Sequence, residues 1–190
     1  MEKKFKELED FLLEKQISND ELADWLSKRL ENRTILIPTA LPLVYRKGNE
    51  FSVEKGLNLN RKNELWGLEL FSGIMLALEC GSGKDLQSTN WKNVKEFAEK
   101  MRFNGKSGSL PSAEVLINSC GANEEKKFIK TLKVLSEYKI NACDGYWGSI
   151  WCAASDNSPS SVFFHLEYGI LDRSSKKTTS FNDRVAVAFD

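Results

Sequence analysis

The sequence predicts an α+β fold, a mixed sheet with flanking helices, preceded by an N-terminal helical hairpin. Three stretches predict it. Residues 2–32 carry two apolar stripes at helical spacing with a capping signal between them. Residues 90–116, NWKNVKEFAEKMRFNGKSGSLPSAEVL, read as an amphipathic helix, a glycine turn and the opening of a second helix. After Asp144-Gly145 the apolar residues change to the two-residue period of strands.

In the hairpin, Phe5, Leu8, Phe11, Leu12 and Leu13 form the first stripe, and Leu22, Trp25, Leu26 and Leu30 the second. Ser18 and Glu21 make a capping box, and Ile17 and Leu22 are placed for a hydrophobic staple. Two short helices bury too little to be stable by themselves. The hairpin must therefore pack on its own chain or on another copy, and Trp25 and Leu22 are the candidate oligomer contacts.

The chain divides by composition into a hairpin at 1–33, an extended or linker segment at 34–63, and a main domain at 64–190 that is expected to fold independently. TILIPTALPLV is apolar and β-branched, but Pro38 and Pro42 make it an edge strand or an extended segment. RKGNEFSVEKGLNLNRKNE is polar and reads as loop, with one short strand at most. GIMLALE at 73–79 is a buried strand, and CGSGKD turns the chain after it.

On the helix that follows, Trp91, Val94, Phe97, Ala98 and Met101 share one face, which must be buried. Gly105 and Gly108 break the pattern, Pro111 bars helix at Leu110, and Ser112 caps the next helix. Residues 123–138 form a third helix with Phe128, Ile129, Leu132 and Leu135 on one face. Val162, Phe164, Leu166 and Tyr168 then alternate with Phe163, His165 and Glu167 as a strand ended by Gly169. A polar loop at 172–183 precedes a last strand, RVAVAF.

Asn90-Trp91, Leu110-Pro111-Ser112, Tyr146-Trp147-Gly148-Ser149, the aromatic strand from Val162 to Gly169 and the strand from Arg184 to Phe189 stand in a telling order. In that order they resemble a bacterial family, the major paralogous domain, whose fold is similar to C-type lectins and the formylglycine-generating enzymes. The resemblance covers roughly 64–190. It implies a C-type-lectin-like mixed sheet with its first and last strands side by side, two flanking helices, and ligand binding in the long late connections. Two positions depart: Gly108-Ser109 replaces the family's Trp-Arg, and Gly148 replaces a Ser. No binding role carries over to the first of these. The formylglycine-generating enzymes use late cysteines, but Cys143 and Cys152 do not match that site.

Composition narrows the function. Lys plus Arg equals Asp plus Glu at 27 each, so nothing marks a nucleic-acid surface. No apolar run approaches the ~20 residues of a membrane span. Acids interrupt the apolar residues of the first segment, so no signal peptide is read. The expected compartment is the cytoplasm, or a surface or particle if another export route is used. Cys80, Cys120, Cys143 and Cys152 lack C-x-x-C spacing and are expected to be buried thiols.

One histidine, His165, is too little for a zinc site, and the Pro and Trp motifs of calcium-dependent lectins are missing. GSGKD fails as a phosphate loop because Leu78 and Asp85 stand where Gly and Ser or Thr are required. Any nucleophilic triad must use His165, and nothing in the sequence ties it to a partner. No metal, cofactor or enzymatic activity is expected.

The first reading is therefore a non-enzymatic module that binds a protein or glycan. Its candidate contacts are Trp151, Asp156, Asn157 and Ser158 in one late loop, and Asp172, Arg173 and Lys176 in the other, since binding residues concentrate on loops held by a scaffold. Trp151 has a second reading as core, and Trp147, like Trp91, is read as core. The alternatives are an assembly subunit of a phage or surface particle using its hairpin for oligomer contacts, and a variable receptor diversified by a retroelement.

Overall fold

In a computed structural model of the chain, the described residues are 18, 21, 36–71, 73–80, 86, 89–140, 149–154, 157–158, 160–166, 168–177 and 184–189. The chain divides into two units, Met1–Ile35 and Leu36–Asp190. In the first unit the capping box forms in both directions. Glu21 N–H donates to Ser18 Oγ at 3.2 Å, and Ser18 N–H donates to a Glu21 carboxylate oxygen at 2.9 Å. These bonds hold the Glu21 carboxyl below its ordinary value, the Ser18 backbone contributing most. The apolar stripes, Leu22 and Trp25 lie outside the described residues.

The second unit is mixed α+β. Its elements are β1 (Leu36–Lys47), β2 (Glu50–Asn58), a 3-10 turn (Leu59–Glu64), β3 (Leu65–Phe71), β4 (Ile74–Cys80), α1 (Trp91–Lys100), β5 (Arg102–Phe103) and β6 (Lys106–Ser107). There follow α2 (Ala113–Ser119), α3 (Ala122–Glu137), β7 (Ser149–Trp151), β8 (Ser160–His165), β9 (Ile170–Lys176) and β10 (Arg184–Ala188). One sheet has the order β10-β4-β3-β1-β2-β5-β6, and a smaller one β7-β8-β9.

The expected linker at 34–63 is a correction. Residues 36–58 are the central hairpin of the larger sheet, with β1 flanked by β2 and β3, so the unit begins at Leu36 and not near residue 64. Lys47 opposes Glu50 across Gly48-Asn49, and Gly48 takes φ 62°, the left-handed conformation that such a two-residue turn needs at its first position. The prolines are accommodated by a bulge. Pairing steps from Pro38↔Gly56 to Leu43↔Glu54, so five positions of β1 match two of β2, and β3 pairs only with Leu43 to Tyr45. Inside the bulge, the Leu41 amide donates to Thr131 Oγ1 of α3 at 3.0 Å. β3 itself escapes the sequence reading.

Both faces of the larger sheet are buried. Leu43, Tyr45, Leu76, Ala186 and Ala188 pack on one side with Phe128 and Leu135 of α3. Val44, Met75, Val185 and Val187 pack on the other with Trp91, Val94, Phe97 and Met101 of α1. The two-residue period therefore divides these strands between two cores rather than between core and water. Phe164 and Phe163 of β8 split the same way.

The α1 face is buried as its spacing requires, with Asn90 capping at 2.9 Å, and Ser112 caps α2 at 3.2 Å. On α3 the expected face shifts. Ile129 is 50% exposed and Thr131 fully buried, because that side must supply the acceptor for Leu41. β8 ends at His165 rather than Gly169, and residues 172–176 of the expected loop at 172–183 belong to strand β9.

β10 pairs antiparallel with β4. Here too the register jumps, from Arg184↔Cys80 to Ala186↔Leu76. Arg184, 1% exposed, donates from Nη1 to the Ala77 carbonyl at 3.0 Å and to that of Leu78. Its guanidinium lies 5.1 Å from the Phe128 ring centre.

Candidate functional site

Trp91 and Trp151 bind each other's neighbourhoods. Trp91 Nε1 donates to the Cys152 carbonyl at 3.0 Å, and Trp151 Nε1 donates to the Thr89 carbonyl at 2.6 Å. Ser161 Oγ adds a second donor to Cys152 at 3.1 Å. The Trp91 amide, at the start of α1, donates to the Lys177 carbonyl at 3.1 Å, and Lys177 Nζ lies 3.8 Å from the Trp91 ring centre. Thr89, Cys152 and Lys177 are the roots of the connections through 81–88, 155–159 and 178–183. Three connections thus start or end at one buried tryptophan pair.

Beside this junction is an open cleft of about 290 Å³. Trp91, Lys95 and Glu99 of α1 form one wall. Opposite runs the extended segment 108–112, where Ser109 exchanges backbone bonds of 2.9 and 2.8 Å with Ala188 of β10. Gly108 permits this approach, since a Cβ there would meet the Ala98 carbonyl oxygen and Val187 Cγ1 at 2.5 Å. Position 108 therefore has no room for a side chain. Ala153 donates to the Pro111 carbonyl at 2.9 Å and closes the end nearest Cys152.

The sequence-derived contacts are distributed unevenly about this region. Trp151 is a correction: it is 1% exposed, with its ring centre 3.7 Å from that of Phe163, so it is core and anchors the loop root instead of meeting a ligand. Asn157 is exposed. Ser158 Oγ donates to the Ser160 carbonyl at 2.7 Å and accepts from its amide at 3.3 Å, which is turn-forming work. Arg173 and Lys176 fall on β9 rather than in a loop, and Asp172 faces β8. Asp156 and Trp147 lie outside the described residues. The cleft residues Lys95, Glu99 and Ser109 were missed. The spacing Trp91-x-x-x-Lys95-x-x-x-Glu99 does mark one side of a helix, but only the fold sets a groove against it.

His165 has partners that the sequence conceals. Ser149, its cross-strand neighbour, lies with Oγ 2.7 Å from Nδ1, and Asp172 Oδ2 lies 3.9 Å from Nε2. Ser149 is 3% exposed and the Asp172 distance exceeds a hydrogen bond, so this polar row spans three strands without presenting an accessible nucleophile. Burial pushes the Cys152 thiol up to about 12. Cys120 is also pushed up to about 12, by burial first and then by Glu124. Thiols so poised are poor nucleophiles.

Among the described residues no three His, Cys, Asp or Glu side chains gather as a metal site, and no helix is long and apolar enough to cross a membrane. Compared with protein-family models, with curated proteins and with solved structures, the chain matches none.

Proposed function

We propose that the 36–190 unit is a metal-independent, non-enzymatic binding module of C-type-lectin-like type, recognising a protein or glycan through connections 81–88, 155–159 and 178–183 and the cleft beside them. The junction at Trp91 and Trp151 carries this reading. It anchors three connections to a scaffold buried on both faces, the arrangement in which connections can vary without disturbing the core. The last strand, β10, pairs with β4, the fourth strand of the unit, so the lectin-like part of the reading rests on the sequence resemblance.

The test is selection of ligands for the full chain from a glycan array and a displayed peptide library. Each ligand is then measured against a variant whose residues 155–159 and 178–183 are changed to Gly and Ser. The expected result is a saturable ligand lost in the variant at unchanged Tm. Ligands that bind both proteins equally, or no saturable ligand from either source, overturn the reading.

A further inference from the structure

We propose that Asn104 is a site of spontaneous deamidation, and that opening of the β5–β6 turn sets its rate. This is independent of the binding-module reading.

The reactants are neighbours in the chain. Asn104-Gly105 is the one Asn-Gly pair in the sequence. In such a pair the glycine nitrogen can attack the side-chain carbonyl carbon of the asparagine, because glycine has no side chain to shield it. Both residues are exposed, at the tip between β5 and β6. Among the described residues no group bonds the Asn104 carboxamide or the Gly105 amide, so neither is held away from reaction. A Cβ at Gly105 would meet nothing within 4 Å, so the space around that nitrogen is open. Other asparagines are worse placed. The Asn58 and Asn90 side-chain oxygens accept from Asn60 and Asn93, and the exposed Asn157 is followed by Ser158, which carries a side chain.

The step needs only water and a solvent base. The base takes the Gly105 amide proton, and the nitrogen attacks Asn104 Cγ. The N–Cγ bond forms, the Cγ–Nδ2 bond breaks, and ammonia leaves with a proton from water. Water then opens the resulting cyclic imide at either carbonyl. Cleavage at Cγ gives aspartate. Cleavage at the backbone carbonyl gives isoaspartate, whose main chain is one carbon longer.

The turn holds this reaction back. Asn104 has φ 51° and Gly105 φ 79°, the left-handed pair of a two-residue turn between Phe103 and Lys106. A left-handed residue keeps ψ at about +30 to +60°, which sets the next nitrogen across the Cα–C bond from Cβ. Rotation about that bond must come first, and it breaks the pairing of Phe103 with Lys106. Little opposes it. β5 and β6 have two residues each, Lys106 and Ser107 are exposed, and β5 joins the rest of the sheet through Arg102 and Glu50. Phe103, with its ring centre 5.7 Å from that of Phe189, fastens the tip. Short exposed pairings of this kind open at low cost. Aspartate can return to the turn, since it tolerates the left-handed region as asparagine does. Isoaspartate cannot close a two-residue turn, so its formation ends the β5–β6 pairing.

The experiment incubates the full chain in mildly alkaline buffer, folded and in urea. Each asparagine is followed by peptide mass spectrometry. Isoaspartate is counted by methyl transfer from labelled S-adenosylmethionine with an isoaspartyl methyltransferase. In the folded chain position 104 should gain one mass unit before any other asparagine and yield both products. Its rate should be about tenfold below that in urea, the mark of an opening step. Phe103→Ala, which frees the tip from Phe189, should narrow that gap, with the fold checked by circular dichroism. Asn104→Gln, whose longer side chain must close a larger ring, should remove the early isoaspartate signal. Earlier conversion of another asparagine, no conversion at 104 in the folded chain, equal rates folded and in urea, or an unchanged gap in Phe103→Ala overturns the proposal.

Discussion

The two faces of the larger sheet bury their polar groups for different ends. On the α3 face the core is largely aliphatic, and two buried polar side chains serve the strands themselves. Thr131 satisfies the amide of the β1 bulge, and Arg184 satisfies two carbonyls where β4 bulges against β10. On the α1 face the core is aromatic, with Phe97, Trp66, Phe51 and Phe189 in ring contact one after the next, and its buried indole N–H groups serve loop roots instead. One face repairs the sheet, while the other anchors the segments that leave it. A change on the first face should damage the fold, and a mild change on the second should loosen the recognition end.

The largest test removes the strands both faces share. A 64–190 fragment lacks β1 and β2, the middle of the sheet, and so leaves β3 with a bare edge and α3 without its Leu41 contact. It is expected to be unfolded or insoluble, while 36–190 gives a cooperative melt. A cooperative transition for 64–190 by circular dichroism would mean that the hairpin is dispensable and both cores survive without it.

Next comes Trp91→Ala. Loss of a buried Trp costs about 3–5 kcal/mol, which at roughly 2–4 °C per kcal/mol for a chain of this size lowers Tm by about 6–20 °C. Trp91→Phe keeps most of the packing and removes the indole donor. Ser161 still donates to Cys152, so the expected loss is small, about 1 kcal/mol. If the α1 face anchors loop roots, Trp91→Phe should raise amide exchange near Cys152 and Ser158 more than it lowers Tm. Equal exchange in both proteins would reduce the junction to ordinary packing.

What could be read from sequence follows the range of the interaction. The Ser18–Glu21 box, the Ser112 cap, the α1 face and strands β4 and β10 depend on neighbours within a few residues, and all were legible; the Asn90 cap is equally local and was not read. The β1–β2 hairpin was not, because Pro38 and Pro42 argue against a central strand until Thr131, far along the chain, meets the bulge they occupy. The Gly48-Asn49 turn was a local signal and was overlooked among polar residues. β9 was hidden because its polar residues carry no alternation. At the site, Trp91 was placed correctly in the core and Trp151 was left between two roles. Their reciprocal bonds join residues about sixty apart, and no spacing rule reports them.

Thr131→Val sharpens the contrast on the α3 face. It keeps the shape and strands the Leu41 amide in a buried place, at an expected cost of about 1–3 kcal/mol. Ile129→Ala, on the face the sequence favoured, removes an exposed side chain and should stay within about 0.5 kcal/mol. Urea titration of both proteins checks the order. A larger loss at Ile129 would return α3 to the orientation its hydrophobic spacing suggests.

The smallest effect lies at alkaline pH, where the two faces can be compared through Cys152, whose carbonyl bonds Trp91 and whose thiol packs toward the aliphatic core. Burial raises the thiol from an ordinary 9.0 to about 12. The unfolded chain therefore ionises first as pH rises, and the folded state keeps its proton. The contribution to stability is fully present below pH 9.0 and is lost progressively as pH rises toward about 12. Wild type should lose more stability between pH 8 and pH 10 than Cys152→Ala does, in urea melts at the two values. Cys120, raised to about 12 as well, is present in both proteins and cancels from the difference. At pH 8 the native Cys152 should also resist iodoacetamide, since thiolate is the reacting form. Rapid alkylation of Cys152 in the folded protein would show that the junction opens, and would move the α1 face from anchor to gate.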